Sequence, residues 1–466
     1  MPQAMALQPN ETLTRAWIDR PYFESVALDK EEAAKLGLYT AYAIEDALAD
    51  HGWPDGTVCG PDEVLAYNFD VDSRRLRQAY RLLEARGVCR IQRGPSGGIV
   101  VLKPRRRAAA TAVFRHLTFT GVSDRELWQA RRVIEPLILD ALLISPAFLS
   151  RREVVHSEDL IDCLDNPSLA LCFESVECFP LGFMQGDTAT AVRILHLLRL
   201  GAREQAHDLW HDHIDIRQVR HAAGSERSGD RGTCAAIEGH SLASTTATRL
   251  NAELTREKCR PGDHVGSLAD LAERYGVGLP VMVEAVRLLE DSGVLKSQRG
   301  RGGGVLRATP SQLNVLRLTH SYLASTQKEE DDSFLTTWML NRATVALSAD
   351  ASRGSRAVAA ARIVPPAGLP FLQSWFLVMR DIYDGADNAI LHTLVRCLVG
   401  YEVRRNSATI PDSLAPANAH QLMSQSHALM SEIRVGRSAR AVDHFETCHR
   451  LLRKCNSSQY KTRKLS

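Results

Sequence analysis

The sequence predicts a mainly α-helical chain in which two small modules, each of three helices closed by a β-hairpin, alternate with two all-helical bundles. Three observations carry this. The stretch from Val71 to Ala79 opens an amphipathic helix, followed at once by two short β-type runs around a glycine-rich turn. The same stretch returns as Val277 to Ala285, at a shift of 206 residues that needs no gap. After each copy the chain has helical spacing and no strand signal.

In chain order, residues 1–35 are a polar N-terminal segment, with a short helix expected near Lys30 to Leu36. The first module is expected over 36–107. Tyr39 to Asp50 has helical spacing with Tyr42, Ile44, Ala47 and Leu48 on its inner face, and Trp53 to Gly56 ends it. Leu65 and Ala66 close a short second helix. The third begins at Val71, runs through Tyr80, Leu82 and Leu83, and stops at Gly87 and Val88. Val88 to Gln92 and Ile99 to Leu102 are strand-like, joined by a turn from Gly94 to Gly98.

Two helices joined by a tight turn and followed by a hairpin make a winged helix-turn-helix, whose second helix offers its first turns to the DNA major groove. Arg74, Arg75 and Arg77 stand there beside Ser73. An arginine fork can donate to guanine O6 and N7 or clamp a phosphate, which makes these residues, with Arg93, Gly94 and Gly97 of the wing, the candidate DNA contacts. Between Asp72 and Arg107, Arg74, Arg75, Arg77, Arg81, Arg86, Arg90, Arg93, Lys103, Arg105, Arg106 and Arg107 oppose only Asp72 and Glu84, an excess of nine positive charges. Such a field attracts a polyanion.

A helical bundle is expected over 108–220. Glu126 to Glu135 opens a helix whose apolar face continues through Leu137 and Ile138, and Ala189 to Leu200 with Arg203 to Val219 forms a closing pair. Residues 221–246, rich in Gly, Ser, Ala and Thr, read as a linker. The second module is expected over 247–309, with Gly262, Leu271, Ala272, Leu288, Leu289, Glu290, Gly293, Val294, Gln298 and Gly300 in register with the first. Its reading helix carries Leu279, Pro280 and Val283 where the first has Ser73, Arg74 and Arg77. In this window Arg287, Lys296, Arg299, Arg301 and Arg307 oppose Glu284, Glu290 and Asp291, an excess of two. Apolar groups cannot hydrogen-bond guanine, so this copy serves packing or pairing, or else grips phosphate or the minor groove through Arg299 and Arg301 on its wing. A second bundle follows over 310–455, with Trp338 corresponding to Trp128 and a closing pair from Gln421 to Arg434 and Ser438 to Arg453, and 456–466 is a basic tail.

At 466 residues the chain exceeds one compact domain. Its net charge of +2 confines any nucleic-acid affinity to local patches. No apolar run approaches the roughly 18 residues of a membrane span and no signal-peptide core opens the chain, which implies a cytoplasmic protein. Ten cysteines without a Cys-x-x-Cys pair read as free, mostly buried thiols. Neither a Gly-x-Ser-x-Gly nucleophile motif nor a Walker-type phosphate loop is present, so no enzyme activity and no cofactor are expected.

The pattern resembles the GntR superfamily of bacterial transcription regulators, in particular its FadR-type branch, twice over as a tandem duplication. Members carry Val-Ser-Arg-x-Thr-Val-Arg-Glu-Ala, and Val71, Arg77 and Ala79 match in place. The family arginine falls on Ser73, with Arg74 and Arg75 alongside, and a second-helix arginine of the family falls on Glu63. The resemblance implies double-stranded DNA as partner, a homodimer, and bundles that sense a carboxylate or acyl effector. Many relatives bind a metal through an Asp-x-x-x-His pair and two further histidines. Here His427 and His449 fall at the last two places of the second bundle, but Trp375 and Met379 stand where the pair should be. In the first bundle His213 fits the final place and Ala191 replaces the histidine before it, while His207 and His211 share a helical face. The site candidates the resemblance implies are therefore Arg131, Trp375, Met379, His427 and His449 for an effector, with His213, His427 and His449 the only metal candidates and no metal expected. Arg131 would meet an acidic effector, or bridge to Glu135 along its own helix.

Overall fold

Capping and burial set the first elements of the chain. The computed structural model describes residues 7, 36–92, 98–151, 154, 156–185, 187–228, 242–257, 259–291, 293–298, 304–308, 312–326, 332–354, 371–405 and 416–463. The expected helix near Lys30 lies outside these residues. Helix α1 (Leu36–Asp50) buries Tyr42, Ile44, Ala47 and Leu48, the spacing of one helical face. Strand β1 (Val58–Cys59) leads to α2 (Asp62–Asn68), and α3 (Ser73–Ala85) follows. Strands β2 (Cys89–Gln92) and β3 (Gly98–Val101) are antiparallel, with Cys89 opposite Val101 and Gln92 opposite Gly98. β1 pairs on the other edge, giving the order β1-β3-β2. Ile44, Leu48, Trp53, Leu65, Leu76, Tyr80, Leu83 and Ile99 make the core, and Leu7 joins it, its carbonyl accepting from Asn68 Nδ2 at 2.8 Å.

Helix α4 (Arg106–Thr120) leads into helices α5 (Asp124–Leu143), α6 (Pro146–Ser150), α7 (Ser157–Ile161), α8 (Pro167–Glu177), α9 (Thr188–Arg199) and α10 (Arg203–Ser228). The second module then runs α11 (Leu242–Arg256), β4 (His264–Gly266), α12 (Leu268–Tyr275), α13 (Leu279–Asp291), β5 (Leu295–Gln298) and β6 (Gly304–Arg307), with sheet order β4-β6-β5. Helices α14 (Leu313–Thr326), α15 (Asp332–Gly354), α16 (Phe371–Ala386), α17 (Ala389–Arg405), α18 (Pro416–Arg434) and α19 (Ser438–Arg463) complete the described chain.

Individual hydrogen bonds recur at the 206-residue shift. Gly56 N–H donates to Val101 O at 2.9 Å and Gly262 N–H to Arg307 O at 2.8 Å. Val71 N–H meets Ala66 O, and Val277 N–H meets Ala272 O, both at 3.0 Å. Even a side chain repeats: Glu84 accepts from the Ile91 amide and Glu290 from the Ser297 amide. Glycines at the turns adopt the same left-handed backbone, Gly87 with φ 70° and Gly293 with φ 69°.

Two compact units emerge, and they cut across sequence order. One is built from Leu7 and the described residues of 36–123 and 135–327, the other from 124–134 and the described residues of 328–466. Helix α14, expected in the second bundle, counts with the first unit, where it packs against α4, α1 and α8. The start of α5, expected in the first bundle, counts with the second unit. Helix also covers both ends of the expected linker, because Ala243, Ala247, Leu250 and Leu254 bury one face of α11, and residues 229–241 lie outside the described ones. Likewise α19 continues past 455 into the expected tail.

Candidate nucleic-acid interface

The outward face of α3 is fixed from both ends. Asp70 closes α2 in the left-handed conformation at φ 49°, which turns the chain sharply enough to start a second helix. Asp72 then caps α3, its carboxylate accepting from the amides of Arg74 at 2.9 Å and Arg75 at 2.8 Å. Those amide bonds, that of Arg75 first, hold the Asp72 pKa below the usual carboxylate value. With the start pinned, Leu76, Ala79, Tyr80 and Leu83 turn into the core, and Ser73, Arg74, Arg75, Arg77, Gln78 and Arg81 face outward. Arg77 Nε donates to Ser73 O at 3.0 Å, and Arg75 lies 3.5 Å from the exposed Asp72 carboxylate. Exposed pairs of this sort are weak, so these guanidiniums can exchange their partners for phosphate or a base edge.

The cationic excess is smaller than a count along the sequence implies. Arg86 is buried and donates from Nη1 to Glu45 Oε1 at 2.9 Å. Arg106 reaches Glu174 at 2.5 Å and Asp162 at 2.9 Å, and Arg107 reaches Glu158 at 2.9 Å. Arg86 and Arg106 are therefore committed to carboxylates inside the unit, whereas Arg107 makes an exposed pair with Glu158 and stays exposed. Arg74, Arg75, Arg77, Arg81, Arg90, Lys103 and Arg105 are exposed. Arg93, Gly94 and Gly97 lie outside the described residues. Gly98, at the base of that turn, has φ 155°, and a Cβ on it would stand 2.6 Å from both Cys59 O and Gly60 O. Only glycine lets β3 approach β1 so closely.

The second module places a different chemistry on the same frame. Gly276 at φ 64° holds the turn that Asp70 holds in the first, and α13 begins without a side-chain cap of the Asp72 kind. Leu279 is 50% exposed, Pro280 is exposed and Val283 half-buried, while Met282, Ala285 and Val286 pack inward. Pro280 sits in the first helical turn, where its missing N–H costs little. Arg299 and Arg301 lie outside the described residues.

The residues proposed for a metal do not fit one. His427 is exposed, whereas His449 is stacked on Phe334 at 4.4 Å between ring centroids, with Trp338 and Phe445 near. Trp375 stacks on Phe445, and Met379 is buried, as core side chains are. Buried His213 spends Nε2 on Phe183 O at 2.9 Å, and burial, aided by the neighbouring Arg217 charge, lowers its pKa. His207 bonds to Asp140 at 3.0 Å, and His211 lies against Trp210. Among the described residues no group of three or more His, Cys, Asp or Glu could hold a metal ion. Arg131 is buried with its guanidinium 5.2 Å from the Trp128 ring centroid. Glu135 is engaged across the first bundle by Trp210 Nε1 at 2.8 Å and by Arg217.

Sequence reading missed one set of polar residues altogether. Arg317 of α14 is buried against α1, its Nε donating to Glu45 Oε2 at 2.9 Å and its Nη2 to Asp46 Oδ1 at 2.8 Å and Tyr42 O at 2.6 Å. The available signal was a lone arginine in the run from Val315 to Leu318.

Comparison with known proteins falls on the second module. Residues 242–305 match the model for "Bacterial regulatory proteins, gntR family", so the chain carries a GntR-family helix-turn-helix domain there. Among solved structures it is similar to "Streptococcus agalactiae GntR", with 20% identity over 46% of this chain and 99% of that chain, at a TM-score of 0.34. No curated protein matches. No helix among the described residues is long and apolar enough to cross a membrane.

Proposed function

We propose that the chain is a transcription regulator of FadR type, built as a tandem duplication, that reads double-stranded DNA chiefly through α3 of its first module. One observation supports this above the others. The strand order, turn glycines and hydrogen bonds of the GntR-family module recur 206 residues earlier, on a helix whose first turns point Arg74, Arg75 and Arg77 outward. A winged helix there would set α3 in the major groove with those arginines at base edges or phosphates. Ser73 and the wing residues Arg93, Gly94 and Gly97 would complete the contact. The bundles would sense a small carboxylate or acyl effector, Arg131 and the Trp375 and Met379 region being the nearest candidates, and would pair two chains on a symmetric site.

Selection of bound duplexes from a randomised pool tests the proposal. The wild-type chain is expected to enrich one sequence class, and the variant with Arg74, Arg75 and Arg77 all replaced by alanine to enrich none. Equal enrichment by the two would overturn it. The half-exposed Leu279 beside Pro280 favours a second reading for the other module, in which α13 meets protein rather than DNA. Under it, the Arg299→Ala and Arg301→Ala pair leaves enrichment unchanged.

A further inference from the structure

We infer that Arg317 is a positioning residue for DNA reading by the first module; the inference rests on the function proposed above. Arg317 lies in the half of the chain that follows the second module, yet it completes a buried cluster inside the first. Glu45 sits between two guanidiniums, taking 2.9 Å bonds from Arg86 on one oxygen and from Arg317 on the other. Asp46 takes the second arm of Arg317, and the Tyr42 ring has Arg317 at 3.9 Å and Arg86 at 5.0 Å from its centroid. Two cations and two anions cancel within this cluster. Burial works against the charge of Arg317, but Asp46 and Glu45 outweigh it and its pKa is raised.

The consequence for α3 follows from where Arg86 stands. It is the C-cap residue of α3, so the far end of the helix that carries Arg74, Arg75 and Arg77 is held by Glu45, which Arg317 holds in turn. Helix α14 also packs on α4 and α8 of the first bundle, where Arg106 binds Glu174. The helix that packs on the first bundle is thus also the one whose Arg317 holds Glu45 and, through it, the end of α3, a juxtaposition of the kind that can bias an orientation. The second module carries other residues at the corresponding places. At the same shift Tyr42, Glu45, Asp46 and Arg86 become Thr248, Asn251, Ala252 and Ser292, and 206 residues before Arg317 stands Thr111. Among the described residues this cluster belongs to the module with the outward arginines.

The test uses the full-length chain and a fluorescent duplex enriched by it. Affinity and the fraction of active protein are measured for wild type, Arg317→Gln and Arg317→Lys across a range of salt concentration. Arg317→Gln is expected to weaken binding roughly five- to tenfold at an unchanged active fraction and salt slope, since no phosphate contact is removed. Arg317→Lys, which keeps a cation between Glu45 and Asp46, should recover most of the loss. A purely structural role would lower the active fraction and leave the affinity of the active molecules alone, and that result overturns the inference, as does wild-type affinity in Arg317→Gln. If the wild-type chain enriches no duplex, the DNA reading falls and this inference with it. An Arg317→Gln chain that binds normally beside an inactive arginine triple variant removes only the inference.

Discussion

The modules at 36–103 and 242–308 have one backbone frame and opposite surfaces. Although the first strand pairs through a register shift between His264 and Gly266 in the second module, the hairpin register and a carboxylate that caps a strand amide coincide at a constant offset. The outward side chains of the third helix do not: arginines crowd α3, and Leu279, Pro280 and Val283 occupy α13. The family match nevertheless falls on the apolar copy. A family pattern over so short a stretch is dominated by the positions a fold cannot change, the core residues and the glycines, whereas affinity for DNA resides in solvent-facing positions that packing leaves free. Family likeness and exposed cationic chemistry are therefore separate features of this chain, each more marked in a different module.

The sharpest way to break the comparison is to move the surface. Leu279→Ser, Pro280→Arg and Val283→Arg together give α13 the residues that α3 carries at 73, 74 and 77. If the shared frame is enough to present them, the salt dependence of duplex binding should steepen by about two on a logarithmic scale, one step for each added phosphate contact. An unchanged slope would mean that the frame alone does not place a reading helix, and would turn attention to the buried cluster around Glu45.

A smaller effect probes the frame itself. Gly98→Ala drives a Cβ against two backbone carbonyls that cannot yield, in a conformation that suits only glycine, and should cost roughly 2–5 kcal/mol of stability in the first module. At Gly304 the nearest atom is His264 Nε2, which can swing away, although Gly266 O at 2.9 Å remains close. Gly304→Ala should cost roughly 1–3 kcal/mol. Hydrogen exchange resolved by module measures both in one molecule, and equal costs would count against the difference in strand contact.

The smallest difference is at the turn. Asp70 pays for a left-handed backbone that Gly276 adopts freely. Asp70→Gly should stabilise the first module by up to about 1 kcal/mol, less what glycine adds to the freedom of the unfolded chain, and Gly276→Asp should do the reverse in the second. Local exchange rates again decide, and a loss in Asp70→Gly would show that the Asp70 side chain has a role of its own.

Much of this frame was legible in the sequence. Apolar spacing placed α1 and α3, glycine and proline marked the turns, and the repeat aligned the modules residue by residue. The interface was only half legible. Arg74, Arg75 and Arg77 lie outward as their spacing implies, but Arg86 and Arg106 read as equally available because their carboxylate partners stand 41 to 68 residues away. Arg317 was hidden more deeply, with partners more than 270 residues distant. Helical periodicity reports which face is covered, not which distant segment covers it. The same limit leaves the packing of α14 on α4, α1 and α8, and the bond of His207 to Asp140, out of reach of the sequence.

Cys59 and Cys89 are sealed in the interior of the first module, where burial raises both thiol pKa values, that of Cys59 to about 12. An alkylating reagent can reach either sulfur only while that interior is parted. Its rate of attack therefore counts openings of the arginine-bearing module in the unmodified chain, and a duplex that holds the module shut should slow the clock.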